Sequence, residues 1–95
     1  MKKYFVYILK CNDNSFYTGV TNNLERRIIE HKLGCNKKKY TYSRRPFNLV
    51  WNESFNNINE AIEKEKQIKG WSRKKKQALI DSDFEELIIL SKNNQ

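Results

Sequence analysis

The sequence predicts a small α+β domain, and three observations carry that prediction. Two short runs rich in β-branched and aromatic residues, "KYFVYILK" and "SFYTGV", are separated by the turn formers Asn12, Asp13 and Asn14. Two later stretches, "TNNLERRIIEHKLG" and "NNINEAIEKEKQIKG", have the apolar spacing, capping residues and closing glycine of helices. The composition is 38% hydrophobic and 13% aromatic with one Pro and three Gly, that of a packed chain whose aromatic residues supply much of the core. At 95 residues the chain is expected to form one domain, 1–95, with 91–95 as a flexible tail.

The first two runs are expected to pair as an antiparallel hairpin. Strand side chains alternate, so Phe5, Tyr7 and Leu9 share one face of the first strand, and Tyr17 and Gly19 share one face of the second. The first helix follows, with Asn22 as its expected N-cap, Glu25 in the capping-box position and Gly34 just past its end. At about 100° per residue, Arg27 and His31 fall along the apolar side with Leu24 and Ile28, while Arg26 faces water.

Residues 35–46, "CNKKKYTYSRRP", carry five basic residues, two tyrosines and no acid. Such a mixture suits phosphate contact with stacking on bases, and equally a solvated connector. "FNLVW" alternates Phe47, Leu49 and Trp51 and is the third strand candidate. In the second helix, Asn57 and Glu60 hold the capping positions and Gly70 ends it. Glu65 falls in the middle of its apolar stripe, whereas Glu60 and Glu63 lie on the solvated side. "SRKKKQALI" reads as a basic short helix opened by Ser72. "SDFEELIIL" reads as a terminal helix with Ser82 and Glu85 in capping-box spacing, a strand being the alternative.

Nineteen Lys and Arg against eleven Asp and Glu give a net charge of +8, a field that attracts a polyanion and makes nucleic acid the leading partner class. No apolar run reaches the roughly 18 residues of a membrane span. Cys11 and Cys35 are too few for a disulfide framework, and with His31 they lack the CxxC spacing of a zinc site. A cytosolic, reduced protein is expected. An inward carboxylate is costly unless paired or bound to a cation, so Glu65 calls for a partner: an arginine, a tyrosine hydroxyl or a divalent metal.

These residues also stand in a family order. "FVY" at Phe5 to Tyr7, "YTG" at Tyr17 to Gly19, "LERR" ending at Arg27, His31 four residues on, and Glu65 on the second helix together resemble the GIY-YIG nuclease domain, in its small single-domain bacterial branch. The resemblance runs from about Lys3 to Leu79 and includes the blocks "YTG", "LERR" and "QIKGW". Phe5 and Val6 stand where the literal first motif has glycine and isoleucine, and Thr18 stands where the second has isoleucine. No counterpart of a late asparagine found in several members is assigned, since Asn93 and Asn94 fall in the tail.

The resemblance implies a three-stranded antiparallel sheet flanked by helices and a metal-dependent phosphodiesterase site. It assigns Tyr7, Tyr17, Arg27, His31 and Glu65 as catalytic residues, Gly19 to substrate positioning, and Glu65 as ligand of one Mg²⁺ or Mn²⁺ ion. Tyr17 is the preferred general base, Arg27 the contact to the scissile phosphate, and Tyr7 and His31 the positioning groups. The expected nucleic-acid contacts are Lys37, Lys38, Lys39, Tyr40, Tyr42, Arg44, Arg45, Lys69, Arg73, Lys74 and Lys75. The expected activity is DNA endonuclease, acting in repair or recombination, with RNA as the other substrate class. The alternative is a nucleic-acid-binding module of weak or absent catalysis, for which a protein partner places the substrate.

Overall fold

The structure, a computed structural model, describes residues 2–34 and 44–93. Lys37, Lys38, Lys39, Tyr40 and Tyr42 of the expected nucleic-acid contacts lie outside the described residues. The elements run β1 (Tyr4–Cys11), β2 (Phe16–Thr21), α1 (Leu24–Leu33), β3 (Phe47–Phe55), α2 (Ile58–Lys69), α3 (Arg73–Ile80) and α4 (Phe84–Asn93). The sheet has the order β2-β1-β3, with both pairings antiparallel. The α+β class and the three-stranded antiparallel sheet are therefore as expected.

The hairpin closes at Asn14, whose φ of 68° is a left-handed conformation that asparagine tolerates. Asp13 accepts hydrogen bonds from the backbone N–H and hydroxyl of Ser15, and its other oxygen pairs with Arg44 at 3.0 Å. In the resulting register Tyr7 faces Gly19, Ile8 faces Thr18 and Leu9 faces Tyr17.

The central strand separates two apolar clusters. Val6 and Ile8 pack with Ala61 and Ile68 of α2 and Leu79 of α3, whereas Tyr7, Leu9 and Cys11 pack with Phe47, Tyr17 and the α1 residues Leu24 and Ile28. So α1 covers one face of the sheet and α2 with α3 the other. This split is what gives every buried side chain of β1 a partner.

Third-strand alternation is broken. The β1–β3 register shifts between Ile8 and Leu9, which pair with Trp51 and Leu49 and leave Val50 as the extra residue of a bulge. Phe47 joins the Tyr7 cluster, Trp51 turns to the opposite one, and Leu49 stays 40% exposed. The strand also runs four residues beyond the expected "FNLVW".

Three terminal signals move by a residue or more. Asn23, not Asn22, caps α1, its side chain accepting from the Arg26 N–H, because Asn22 is spent on the link from Thr21. Asp83, not Ser82, accepts from the Glu86 N–H at the start of α4, and Ser82 takes a φ of 55° at the turn before it. Helix α4 continues to Asn93, into the segment expected to be a tail. Asn57, Ser72 and Gly34 cap as expected, Gly34 with a left-handed φ of 66°.

Candidate active site

Tyr7 lies at the middle of the central strand and is 0% exposed. Its ring crosses directly over Gly19 on the neighbouring strand: a Cβ at position 19 would lie 2.5 Å from the Tyr7 hydroxyl and 2.6 Å from Cζ. The space left by the missing side chain of Gly19 is filled by the Tyr7 ring.

The Tyr7 hydroxyl is 3.1 Å from Nε2 of His31, which α1 brings in from its third turn. His31 is 5% exposed and stands edge-on to Phe47, with ring centroids 5.7 Å apart. The ring of Tyr17 lies 5.5 Å from His31 and 6.3 Å from Tyr7, so the three rings form one triangle. Tyr7 and His31 are enclosed, whereas Tyr17 is half-buried.

The charges of Arg27 and Glu65 both act on the Tyr7 hydroxyl. The Tyr7 pKa is pushed up to about 12, first by burial of the hydroxyl and then by the proximity of Tyr17, with the Glu65 carboxylate adding to the rise; the Arg27 guanidinium beside it pulls the other way through its charge and a hydrogen bond. Tyr7 therefore keeps its proton at neutral pH. Nε of Arg27 is held by Glu30 at 3.2 Å, one turn on along α1, which leaves the terminal nitrogens of the fork for other acceptors. The helical-face reading of α1 holds: Arg27 is 30% exposed and Arg26 63%.

Glu65 points inward as its place in the stripe requires, with 13% exposure, and its partner is neither an arginine nor a tyrosine but Lys69, at 2.7 Å from Oε2 one turn along α2. Among the described residues no group of three or more His, Cys, Asp or Glu side chains is gathered for a metal. A single half-enclosed carboxylate nonetheless fits Mg²⁺ or Mn²⁺, since Mg²⁺ retains several waters and is bound by one or two carboxylates together with substrate phosphate.

Tyr17 also borders a cleft of about 270 Å³, lined by Phe16, Thr18, Lys69 and Lys76. The expected basic contacts divide around it. Lys75 is corrected: it is 7% exposed and its ammonium lies 4.6 Å above the Trp71 ring, a packed position and not part of an exposed basic face. Arg73 donates to the Asn14 carbonyl and stacks 4.4 Å over Phe16, while Arg44 pairs with Asp13 and Arg45 donates to the Lys32 carbonyl. Lys74 is exposed.

Sequence reasoning missed Lys76 and Glu30. The i, i+3 spacing of Arg27 and Glu30 is a legible signal for the ion pair. Lys76 had none, because which of four consecutive basic residues meets β2 depends on how α3 turns back from Gly70.

The residues described above fall within a family match: the model described as the GIY-YIG catalytic domain matches residues 3–78. The chain belongs to the GIY-YIG family. A UPF0213 protein of Clostridium perfringens is 53% identical over 78 residues, covering 82% of this chain and 83% of that protein. A UPF0213 protein of Staphylococcus haemolyticus is 48% identical over 81 residues, covering 85% and 98% respectively. Among solved structures, the solution NMR structure of a UPF0213 protein from Bacillus halodurans is 43% identical with a TM-score of 0.55, covering 83% of each chain. That of an E. faecalis protein is 36% identical with a TM-score of 0.62, covering 88% of each. This GIY-YIG chain thus shares both sequence and fold with small bacterial relatives. Among its described residues no helix is long and apolar enough to cross a membrane.

Proposed function

We propose that this GIY-YIG chain is an endonuclease that hydrolyses DNA phosphodiester bonds with one Mg²⁺ or Mn²⁺ ion, in the service of repair or recombination. The observation that carries the reading is the convergence of two tyrosines, a histidine, an arginine and an inward glutamate beside a basic cleft. A purely electrostatic binder has no use for such a set.

The chemistry divides among the side chains. Tyr7 is a poor base because burial disfavours its phenolate, so it is the phenolate of the more exposed Tyr17 that takes the proton of the attacking water and becomes the phenol. Tyr7 and His31, bonded to one another, hold the ring of Tyr17 in place from two sides. Arg27, anchored through Nε by Glu30, offers its remaining donors to the non-bridging oxygens of the scissile phosphate as negative charge develops there. Glu65 is the residue that would hold the divalent ion, in place of its pairing with Lys69. The ion, when bound, supplies positive charge beside the phosphoryl and leaving oxygens.

The test is nicking of supercoiled plasmid and cleavage of branched DNA in Mg²⁺, Mn²⁺ or EDTA, beside Glu65→Ala and Tyr17→Phe variants shown to be folded by circular dichroism. Metal-dependent nicking abolished in both variants supports the assignment. A wild type that binds DNA but cuts no substrate overturns it. One observation favours a binding module instead: Lys69 already neutralises Glu65. In that reading Glu65→Ala abolishes no cleavage, because there is none to abolish, and by freeing Lys69 it tightens salt-dependent DNA binding.

A further inference from the structure

The cleft beside Tyr17 contains two unmet needs. The first is the ammonium of Lys76, which has no ion pair, hydrogen bond or ring contact among the described residues, although it is half-buried and near the like charge of Arg73. Partial burial and Arg73 both push its pKa down, which shows that the cleft is a poor environment for an uncompensated cation. The second is the hydroxyl of Thr18. This residue is 3% exposed, and its Oγ1 is the only buried side-chain polar atom without a hydrogen-bond partner among the described residues.

Buried polar groups are nearly always bonded, so an orphan at the wall of a cleft signals a missing partner. A 120° step in χ1 carries a threonine hydroxyl into the position of its methyl, and the methyl into that of the hydrogen, so a rotation at Thr18 can turn the hydroxyl towards the cleft. None of the five lining residues is acidic, and Lys69 among them has 53% of its side chain exposed. The partner that satisfies two ammonium groups and one hydroxyl together is an anion with several acceptor oxygens. Position 18 is also where the literal motif has isoleucine, so the hydroxyl is not a requirement of that motif.

We propose that the cleft formed by Thr18, Lys69 and Lys76 binds a backbone phosphate of the nucleic-acid strand, adjacent to the phosphate held at Tyr17 and Arg27. Lys76 supplies the charge, the Thr18 hydroxyl donates a neutral hydrogen bond, and the exposed Lys69 adds a second ammonium at the rim. The cleft fixes the direction in which the strand leaves the site. This inference rests on the reading of the site as a nucleic-acid site, but not on its being catalytic.

The experiment is fluorescence anisotropy with a short labelled DNA duplex in EDTA, over a salt series, for the wild type, Lys76→Gln and Thr18→Val, each checked for folding by thermal melting. EDTA keeps the strand intact, so binding is read whether or not the chain is a nuclease. Loss of one phosphate contact makes the slope of log affinity against log salt shallower by about 0.9 in Lys76→Gln. Thr18→Val weakens binding about two- to tenfold at an unchanged slope, because the group lost is neutral. A folded Lys76→Gln protein with the wild-type slope and affinity overturns the subsite, and a Thr18→Val protein that binds as tightly as wild type removes the hydroxyl from it. Failure of the wild type to nick plasmid, with the slope change present, overturns the nuclease and leaves this subsite standing on a binding module.

Discussion

Gly19→Ala tests the packing on which the whole site rests. The added methyl would lie 2.5 Å from the Tyr7 hydroxyl, 2.6 Å from Cζ and 3.0 Å from Cε1, about 1 Å inside ordinary contact, and none of these atoms is the free end of a flexible chain. Tyr7 is fully buried, and its hydroxyl is held by His31 at 3.1 Å. Relief therefore requires the ring to shift and the bond to His31 to stretch. Overpacking of this kind costs about 1–3 kcal/mol, and weakening a buried hydrogen bond adds about 1 kcal/mol. For a domain of this size, a loss of about 2–3 kcal/mol lowers the melting temperature by roughly 10–20 °C. The assay is thermal and urea unfolding of Gly19→Ala in two backgrounds, wild type and Tyr7→Leu, where the clashing atoms are gone. The cost is expected to fall below about 0.5 kcal/mol in the second background, a coupling that a double-mutant cycle reads directly. If Gly19→Ala is as stable as wild type and loses only cleavage, the glycine makes room for substrate and the contact with Tyr7 is not the reason for it.

Three further outcomes are expected. Because the Tyr7 pKa rises from the ordinary 10.0 to about 12 on folding, the folded chain binds this proton more tightly, so its stability is fully present below pH 10 and is lost between about pH 10 and 12. The loss from this group is of the order of 2–3 kcal/mol, and urea unfolding across that range is expected to show it in the wild type but not in Tyr7→Phe. Thr18→Val, which removes an unbonded buried hydroxyl at constant shape, is expected to raise stability by about 1 kcal/mol, seen as a higher melting temperature even as DNA binding weakens. Lys75→Gln is expected to cost about 1 kcal/mol through loss of its packing on Trp71 while leaving the salt dependence of DNA binding unchanged, the reverse of Lys76→Gln.

Much of the architecture was legible because it is local. The alternation in "KYFVYILK" and "SFYTGV" places Tyr7 and Tyr17 on one face, and the helical period places Arg27, His31 and Glu65 inward and Arg26, Glu60 and Glu63 outward. Helix ends were legible to within a residue, except that α4 runs three residues past the expected Leu90. The errors at Asn22 and Ser82 arise where two capping residues adjoin, Asn22 with Asn23 and Ser82 with Asp83, and where the backbone turn decides which of the two side chains meets the free N–H groups.

What local pattern does not contain is how separate elements meet. The bulge at Val50 sends Phe47 and Trp51 to opposite faces, although the sequence alternates without interruption, because the register of β3 is set by β1. The packing of α3 decides that Lys75 lies on Trp71 and Lys76 beside Thr18, a choice that a run of like residues leaves open. The contact of Gly19 with the Tyr7 ring follows from cross-strand register. The sequence by itself determined which residue types are present and which way each points from its own strand or helix, since those follow from the chain's periodicity. Only the tertiary structure decided that His31 bonds Tyr7 and that the Thr18 hydroxyl has no partner among the described residues, because each of these is a matter of distances between elements brought together by the burial of two cores.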